Sequence, residues 1–131
     1  MNKKEKEIRE QARKAIIEAL ENRYNGYYCD LHNEVFNTYH YIIGTYEAKK
    51  MLEEYDVWEA IEKVQQYEED NFDKVYTDLS NPEQIANMLW YIIGEEVLFE
   101  VVKKSKTLNN NWDNLATEKA NKQILEEIRE G

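Results

Sequence analysis

Residues 80–105 read SNPEQIANMLWYIIGEEVLFEVVKKS, a run too apolar for a surface helix and too interrupted by charge for a membrane span. Ser80 stands three residues before Glu83, the spacing of a capping box, and Pro82 falls in the first turn, where a missing N–H costs nothing. The pattern predicts a helix over about 82–104. At about 100° per residue, Ile85, Leu89 and Ile92 define one side, yet Met88, Trp90, Tyr91, Ile93, Val97, Leu98, Phe99, Val101 and Val102 fall on the others. A helix apolar nearly all round must be wrapped by its neighbours, so this segment is expected at the centre of an all-α fold. Residues 84–102 are long enough to cross a bilayer, but Glu95, Glu96 and Glu100 favour a buried core helix. Gly94 inside it implies a close backbone approach or a bend, because glycine costs roughly 1 kcal/mol against alanine within a helix.

Outward from this segment the helical period recurs. Ile8, Ala12, Ile16, Leu20 and Tyr24 recur at four-residue steps, and Asn25-Gly26, both tolerant of the left-handed conformation, is expected to end that helix. Asp30 is expected to cap a short helix through Leu31, Val35 and Phe36; one very short extended piece is read near 39–43. Gly44-Thr45 then opens a helix to about Tyr55, with Ala48, Met51 and Leu52 inward. Asp56 and Glu59 form a second capping-box spacing. The helix that follows puts Val57, Ala60, Ile61 and Val64 on one side and Glu59, Glu62, Gln66, Glu69 and Asp70 on the other. Residues 105–112, with Asn109, Asn110 and Asn111 in a row, read as a loop. Asp113 opens a last helix through Leu115, Ala116, Ala120, Ile124 and Ile128. The expected architecture is a compact bundle of five or six helices around residues 82–104, forming one domain over residues 1–131.

Charge is segregated along the chain. Residues 1–25 carry a net of +2, residues 26–102 a net of −13 and the remainder +1, within a total of −10. Phosphate backbones and anionic membranes repel such a middle, which argues against direct nucleic-acid binding and would steer in a basic protein. The single cysteine, Cys29, cannot form an internal disulfide, and the start, MNKKEKEIREQARK, carries no apolar signal segment, so a reducing cytoplasm is expected.

Motifs for chemistry are sparse. Cys29, Asp30, His32 and His40 are metal-ligand types close in sequence, but without paired Cys-x-x-Cys or His-Glu-x-x-His spacing, and the expectation is no metal and no cofactor. No Gly-rich phosphate loop and no Gly-x-Ser-x-Gly elbow occurs, so no catalytic residue is assigned. Glu96 and Glu100, four apart, repel unless something intervenes. They either form a carboxylate pair for metal or acid–base work, or reach solvent, or pair with bases of the first helix such as Arg13 or Lys14.

The acids are densest between Glu53 and Glu83, where eleven carboxylates face only Lys63 and Lys74. A plain solvated face accounts for them. The sharper reading makes Glu53, Glu54, Asp56, Glu59, Glu62, Glu69, Asp70, Asp73 and Asp78 a partner-binding surface that imitates nucleic-acid phosphates. Residues 59–70 span about 16 Å of helix, so their four outward acids lie one per 4 Å or so, near the 3.4 Å charge spacing of one DNA strand. A single helix would be a poor mimic, so Glu53, Glu54, Asp73 and Asp78 would have to join it, or a homodimer would have to double it.

The runs YNGYYCDLHNEVFNTYHYIIGTYEAKKML (24–52) and YTDLSNPEQIANMLWYIIGEEVL (76–98), with the helix between them, resemble small acidic helical proteins carried by phages and prophages of Gram-positive bacteria. In size and acidity the chain is also similar to phage anti-restriction and anti-CRISPR inhibitors. These likenesses imply a cytoplasmic role in a host cell and a host nuclease or other nucleic-acid-binding protein as partner; they assign no site residue. The alternative is a non-enzymatic interaction module using the Tyr-rich segment 24–46, which holds Tyr24, Tyr27, Tyr28, Phe36, Tyr39, Tyr41 and Tyr46.

Overall fold

The computed structural model describes residues 3–22, 24–35, 50 and 52–130. Its helices are α1 (Lys3–Glu21), α2 (Val57–Phe72), α3 (Pro82–Lys104), α4 (Lys106–Asn110) and α5 (Glu118–Glu130), and a 3-10 turn at Tyr28–Asp30 runs into a helical stretch at 31–35. The fold is all-α, a helical bundle in which α3 packs against α1, α2, α4 and α5. One cluster of buried side chains draws on all five helices. The extended piece expected near 39–43 and the helix start at Gly44-Thr45 lie outside the described residues; Leu52, expected inward, is buried.

How α3 is wrapped explains its sequence. In its first half the buried positions are Ile85, Ala86, Leu89, Trp90, Ile92 and Ile93; in its second half they are Val97, Leu98 and Val101, with Gly94 buried between. At about 100° per residue the buried side turns by roughly a third of the circumference between the halves. Apolar residues therefore go all round the helix although each level keeps one open side. Glu96 and Glu100 follow Ile85, Leu89 and Ile92 on a side that is buried early and open later. The helix continues through Gly94 without interruption.

Its N-cap is Asn81 and not the expected Ser80: the Asn81 side chain accepts from Glu83 N–H at 3.1 Å, and Pro82 is the first helical residue. Proline drives the residue before it out of the helical region, and Asn81 is extended at φ −102°, ψ 106°. Ser80 turns instead to Asp78, whose carboxylate accepts from its N–H at 3.0 Å and its hydroxyl at 2.6 Å.

Four other boundaries differ from the sequence reading. α1 stops at Glu21, short of Tyr24, and Gly26 has no positive φ. A Cβ there would lie 2.5 Å from the Tyr24 hydroxyl oxygen, so a larger residue would displace the Tyr24 ring. Asp30 does not cap a helix. The turn begins at Tyr28, whose N–H is held by Asn114 O at 3.3 Å, and no side chain caps it. Residues 105–112 are not a loop throughout: Ser105 accepts from Leu108 N–H at 3.1 Å and starts α4, which buries Leu108. α5 begins at Glu118 and not at Asp113, with Thr117 Oγ1 accepting from Ala120 N–H at 3.1 Å. Residues 114–116 are taken up elsewhere, since Leu115 forms an antiparallel bridge with Tyr27 and Ala116 N–H donates to Gly26 O at 2.6 Å.

Candidate protein-interaction surface on the second helix

α2 is built from both ends. Asp56 accepts from Trp58 N–H at 2.9 Å and Glu59 N–H at 3.3 Å, which satisfies the first turn as the sequence predicts. Ala60 and Val64 are buried and Ile61 is packed against the core, while Val57, expected inward, is largely exposed because it opens the helix at the rim. Asp73 closes α2 in the left-handed conformation (φ 64°), its N–H donating to Glu69 O.

The outward side carries Glu59, Glu62, Glu69 and Asp70, all exposed. Gln65 donates to Glu69 at 3.1 Å and Gln66 to Asp70 at 2.9 Å. A shallow recess of about 590 Å³ is bordered by Glu59, Glu62 and Glu69 together with Lys63, Gln65 and Gln66. Lys63 is the one basic residue of α2, and its ammonium is drawn inward, 3.3 Å from Glu96 and 4.0 Å from Glu5. Trp58, 77% exposed, and Phe72, 49% exposed, stand at the two ends of this side. By helical spacing Trp58, Glu62, Gln65, Glu69 and Phe72 follow one another along a single stripe.

The structure thus gathers four of the nine expected partner-binding acids on one helix side. Asp56 and Asp73 sit at the ends of α2, where Asp56 is occupied as a cap. Asp78 lies in the α2–α3 connection; the Ser80 hydroxyl, and then its N–H, hold the Asp78 carboxyl below its ordinary range. Glu53 and Glu54 are exposed just before α2, with Glu53 bordering a different recess alongside Leu79 and Pro82. Glu68, within the acidic run, is only 2% exposed and accepts from Tyr76 N–H at 2.9 Å and Thr77 N–H at 3.2 Å. It holds the α2–α3 connection in place.

Glu96 and Glu100 are bridged from α1, by Arg9 and not by Arg13 or Lys14. Arg9 reaches Glu96 at 2.8 Å and Glu100 at 3.2 Å, whereas Arg13 donates to Ile128 O at 2.9 Å. Arg9 has this position because it stands, half-buried, beside the buried stripe of Ile8, Ala12 and Ile16 on the helix that packs against α3.

Within the described part of the Tyr-rich segment, Tyr28 is buried and donates to Asn121 at 2.6 Å, and Tyr24 folds back to donate to Tyr27 O at 2.9 Å. Tyr27 is exposed; Phe36, Tyr39, Tyr41 and Tyr46 lie outside the described residues. Cys29 is exposed, His40 lies outside the described residues, and His32 Nε2 stands 3.2 Å from Glu95 and 3.3 Å from the Tyr91 hydroxyl. Among the described residues no three His, Cys, Asp or Glu side chains are grouped to hold a metal ion. Likewise, no helix there is long and apolar enough to cross a membrane.

Sequence reasoning missed the aromatic cluster beside the C-terminal half of α2. Tyr67 donates to Glu95 at 3.1 Å, and burial, then the Glu95 carboxylate, push the Tyr67 hydroxyl far above the ordinary phenol range. Tyr91 is raised for the same two reasons. Tyr67, Phe72, Tyr76 and Tyr91 are evident in the sequence as aromatic residues, but which rings meet across α2 and α3 is not. No protein-family model, no curated protein and no solved structure matches the chain.

Proposed function

We propose that the chain is a non-enzymatic interaction module that lays the outward side of α2 against a basic surface of a partner protein. What carries this reading is the pairing of Lys63 with Glu96, which leaves Glu59, Glu62, Glu69 and Asp70 without an ion pair to the one base of their own helix, although Lys63 still borders their recess. Trp58 and Phe72 at the ends add exposed aromatic rings, a residue class enriched at interfaces. The partner class that fits is a protein with a basic nucleic-acid groove, a host defence nuclease among them. Occupying such a groove would inhibit it in the manner of anti-restriction and anti-CRISPR proteins. The charge density of one helix side, about one per 4 Å against one per 3.4 Å on a DNA strand, supports competition for part of a groove and not replacement of a duplex.

Joint substitution of Glu59, Glu62, Glu69 and Asp70 by lysine tests the reading, because all four are exposed and the fold should survive, as circular dichroism will check. Immobilised wild-type chain should capture a basic nucleic-acid-binding protein from host lysate, release it to competing duplex and lose it steeply between roughly 50 and 500 mM salt. The lysine variant should capture none. Capture that is unchanged by the substitutions and indifferent to salt refutes the proposal.

A further inference from the structure

The acidic stripe of α2 ends at Phe72, and there it meets a groove of about 610 Å³ between the end of α2, the connection to α3 and the first half of α3. Phe72, Tyr76, Met88 and Tyr91 form its apolar walls. The rings stand edge to face: Phe72 and Tyr76 are 6.1 Å apart at 77°, and Tyr67, behind them, lies 6.2 Å from Phe72 and 6.1 Å from Tyr91. Rings set at near right angles turn faces and edges in different directions around the same space, and the faces carry negative partial charge.

Glu68 lines the same groove. It is 2% exposed, its oxygens accept only from the N–H groups of Tyr76 and Thr77, and no basic side chain among the described residues lies within ion-pair distance. Neutral amides hold this buried carboxylate, and among the described residues no countercharge pairs with it. The described lining contains no base at all. Just outside it, the Lys74 ammonium rests 4.6 Å from the centre of the Tyr76 ring, so the chain itself already uses that ring as a cation acceptor.

We infer that this groove takes an arginine side chain of the partner, its guanidinium against the rings of Phe72 and Tyr76 and facing the Glu68 carboxylate, its methylene stem along Met88. A guanidinium is the side-chain cation that most often stacks on aromatic faces and that is least costly to remove from water. The inference rests on the docking reading above, since a basic partner laid along α2 arrives at the groove over Phe72.

The test is a nuclear magnetic resonance titration of the full ¹⁵N-labelled chain with a blocked apolar heptapeptide carrying one central arginine, compared with the same peptide carrying citrulline, which keeps the shape and removes the charge. The arginine peptide should shift the amides of Tyr76, Thr77 and Tyr91 saturably and bind about tenfold tighter than the citrulline peptide. Because Glu68 substitutions could release the connection, the diagnostic variant is Tyr76→Leu, at a 65% exposed position. It should remove most of the arginine preference and leave citrulline-peptide binding in place. Equal affinities of the two peptides, or no saturable shift at those amides, overturns the inference. Glu62 lies about 15 Å along α2 from Phe72 but Glu69 and Asp70 lie within about 5 Å of it, so the peptides are compared on the wild-type chain and partner capture is read on the four-lysine variant. If that variant loses the partner while the peptides are not distinguished, the docking reading stands and the groove assignment falls. If the peptides are distinguished but partner capture ignores the four lysines, the groove assignment stands without the docking reading.

Discussion

Replacing Glu127 by glutamine should destabilise the chain at neutral pH by an amount that fades in acid. Glu127 receives the Ser105 hydroxyl at 2.5 Å, the Thr107 hydroxyl at 2.9 Å and the Thr107 N–H at 3.3 Å, so one carboxylate on α5 gathers the whole start of α4. Ser105 is in turn the N-cap of α4. Hydrogen bonds to a charged acceptor contribute about 1.5–3 kcal/mol net against about 0.5–1.5 for neutral ones. Glutamine keeps one acceptor oxygen and obliges the Thr107 hydroxyl to reverse its role, so a loss of about 1–2 kcal/mol follows, worth roughly 3–8 °C in Tm for a chain of this size. Burial acts to raise the Glu127 carboxyl, but the donors at Ser105, Thr107 and Gln123 outweigh it and hold the group below its ordinary 4.5. A carboxyl depressed in the folded state stabilises fully above its unfolded value and loses that stabilisation as pH falls through the folded one. Urea unfolding of both chains at pH 7, 5 and 3 measures this. The gap should be widest at pH 7, nearly as wide at pH 5 and clearly narrower at pH 3. A gap that stays constant down to pH 3, or no gap at pH 7, refutes the assigned role.

Two further outcomes follow from buried or capping contacts. Tyr28→Phe strands the buried Asn121 side-chain oxygen and Asn121→Leu strands the Tyr28 hydroxyl, each costing about 1–3 kcal/mol, whereas the double substitution should cost less than their sum by about 1 kcal/mol. Additive costs in a double-mutant cycle would show that the contact is not made. Asn81→Ala should cost about 0.5–2 kcal/mol because it removes the α3 cap, while Ser80→Ala stays within about 0.5 kcal/mol; thermal unfolding showing the reverse order would return the cap to Ser80.

How far each feature could be read in advance depended on the range over which it is encoded. Asp56 was identifiable as a cap because its two acceptor contacts lie within three residues of it. Ser80 was misassigned although the spacing was right, because a neighbouring proline and the Asp78 carboxylate competed for the same few residues. The α4 turn was invisible, since its polar residues look like a loop until Glu127, twenty residues on, supplies the acceptor. For the candidate surface, the outward placement of Glu59, Glu62, Glu69 and Asp70 was legible from period alone. Glu68 in the same run points inward and holds Tyr76 and Thr77, neither of which the sequence reading assigned.

The sequence alone determined that the chain is all-α, that residues 82–104 lie at its centre and that α2 shows a carboxylate side to the outside. Those properties follow from side chains three and four residues apart sharing a side of a helix, which is a local rule. Only the tertiary structure decided that Arg9 takes Glu96, 87 residues away, in preference to Arg13, that Lys63 pairs with Glu96, and that three rings from α2, α3 and their connection line one groove beside Glu68. Such pairings depend on how each helix is rotated about its own axis when its apolar stripe is buried, and that rotation is set by the whole core at once.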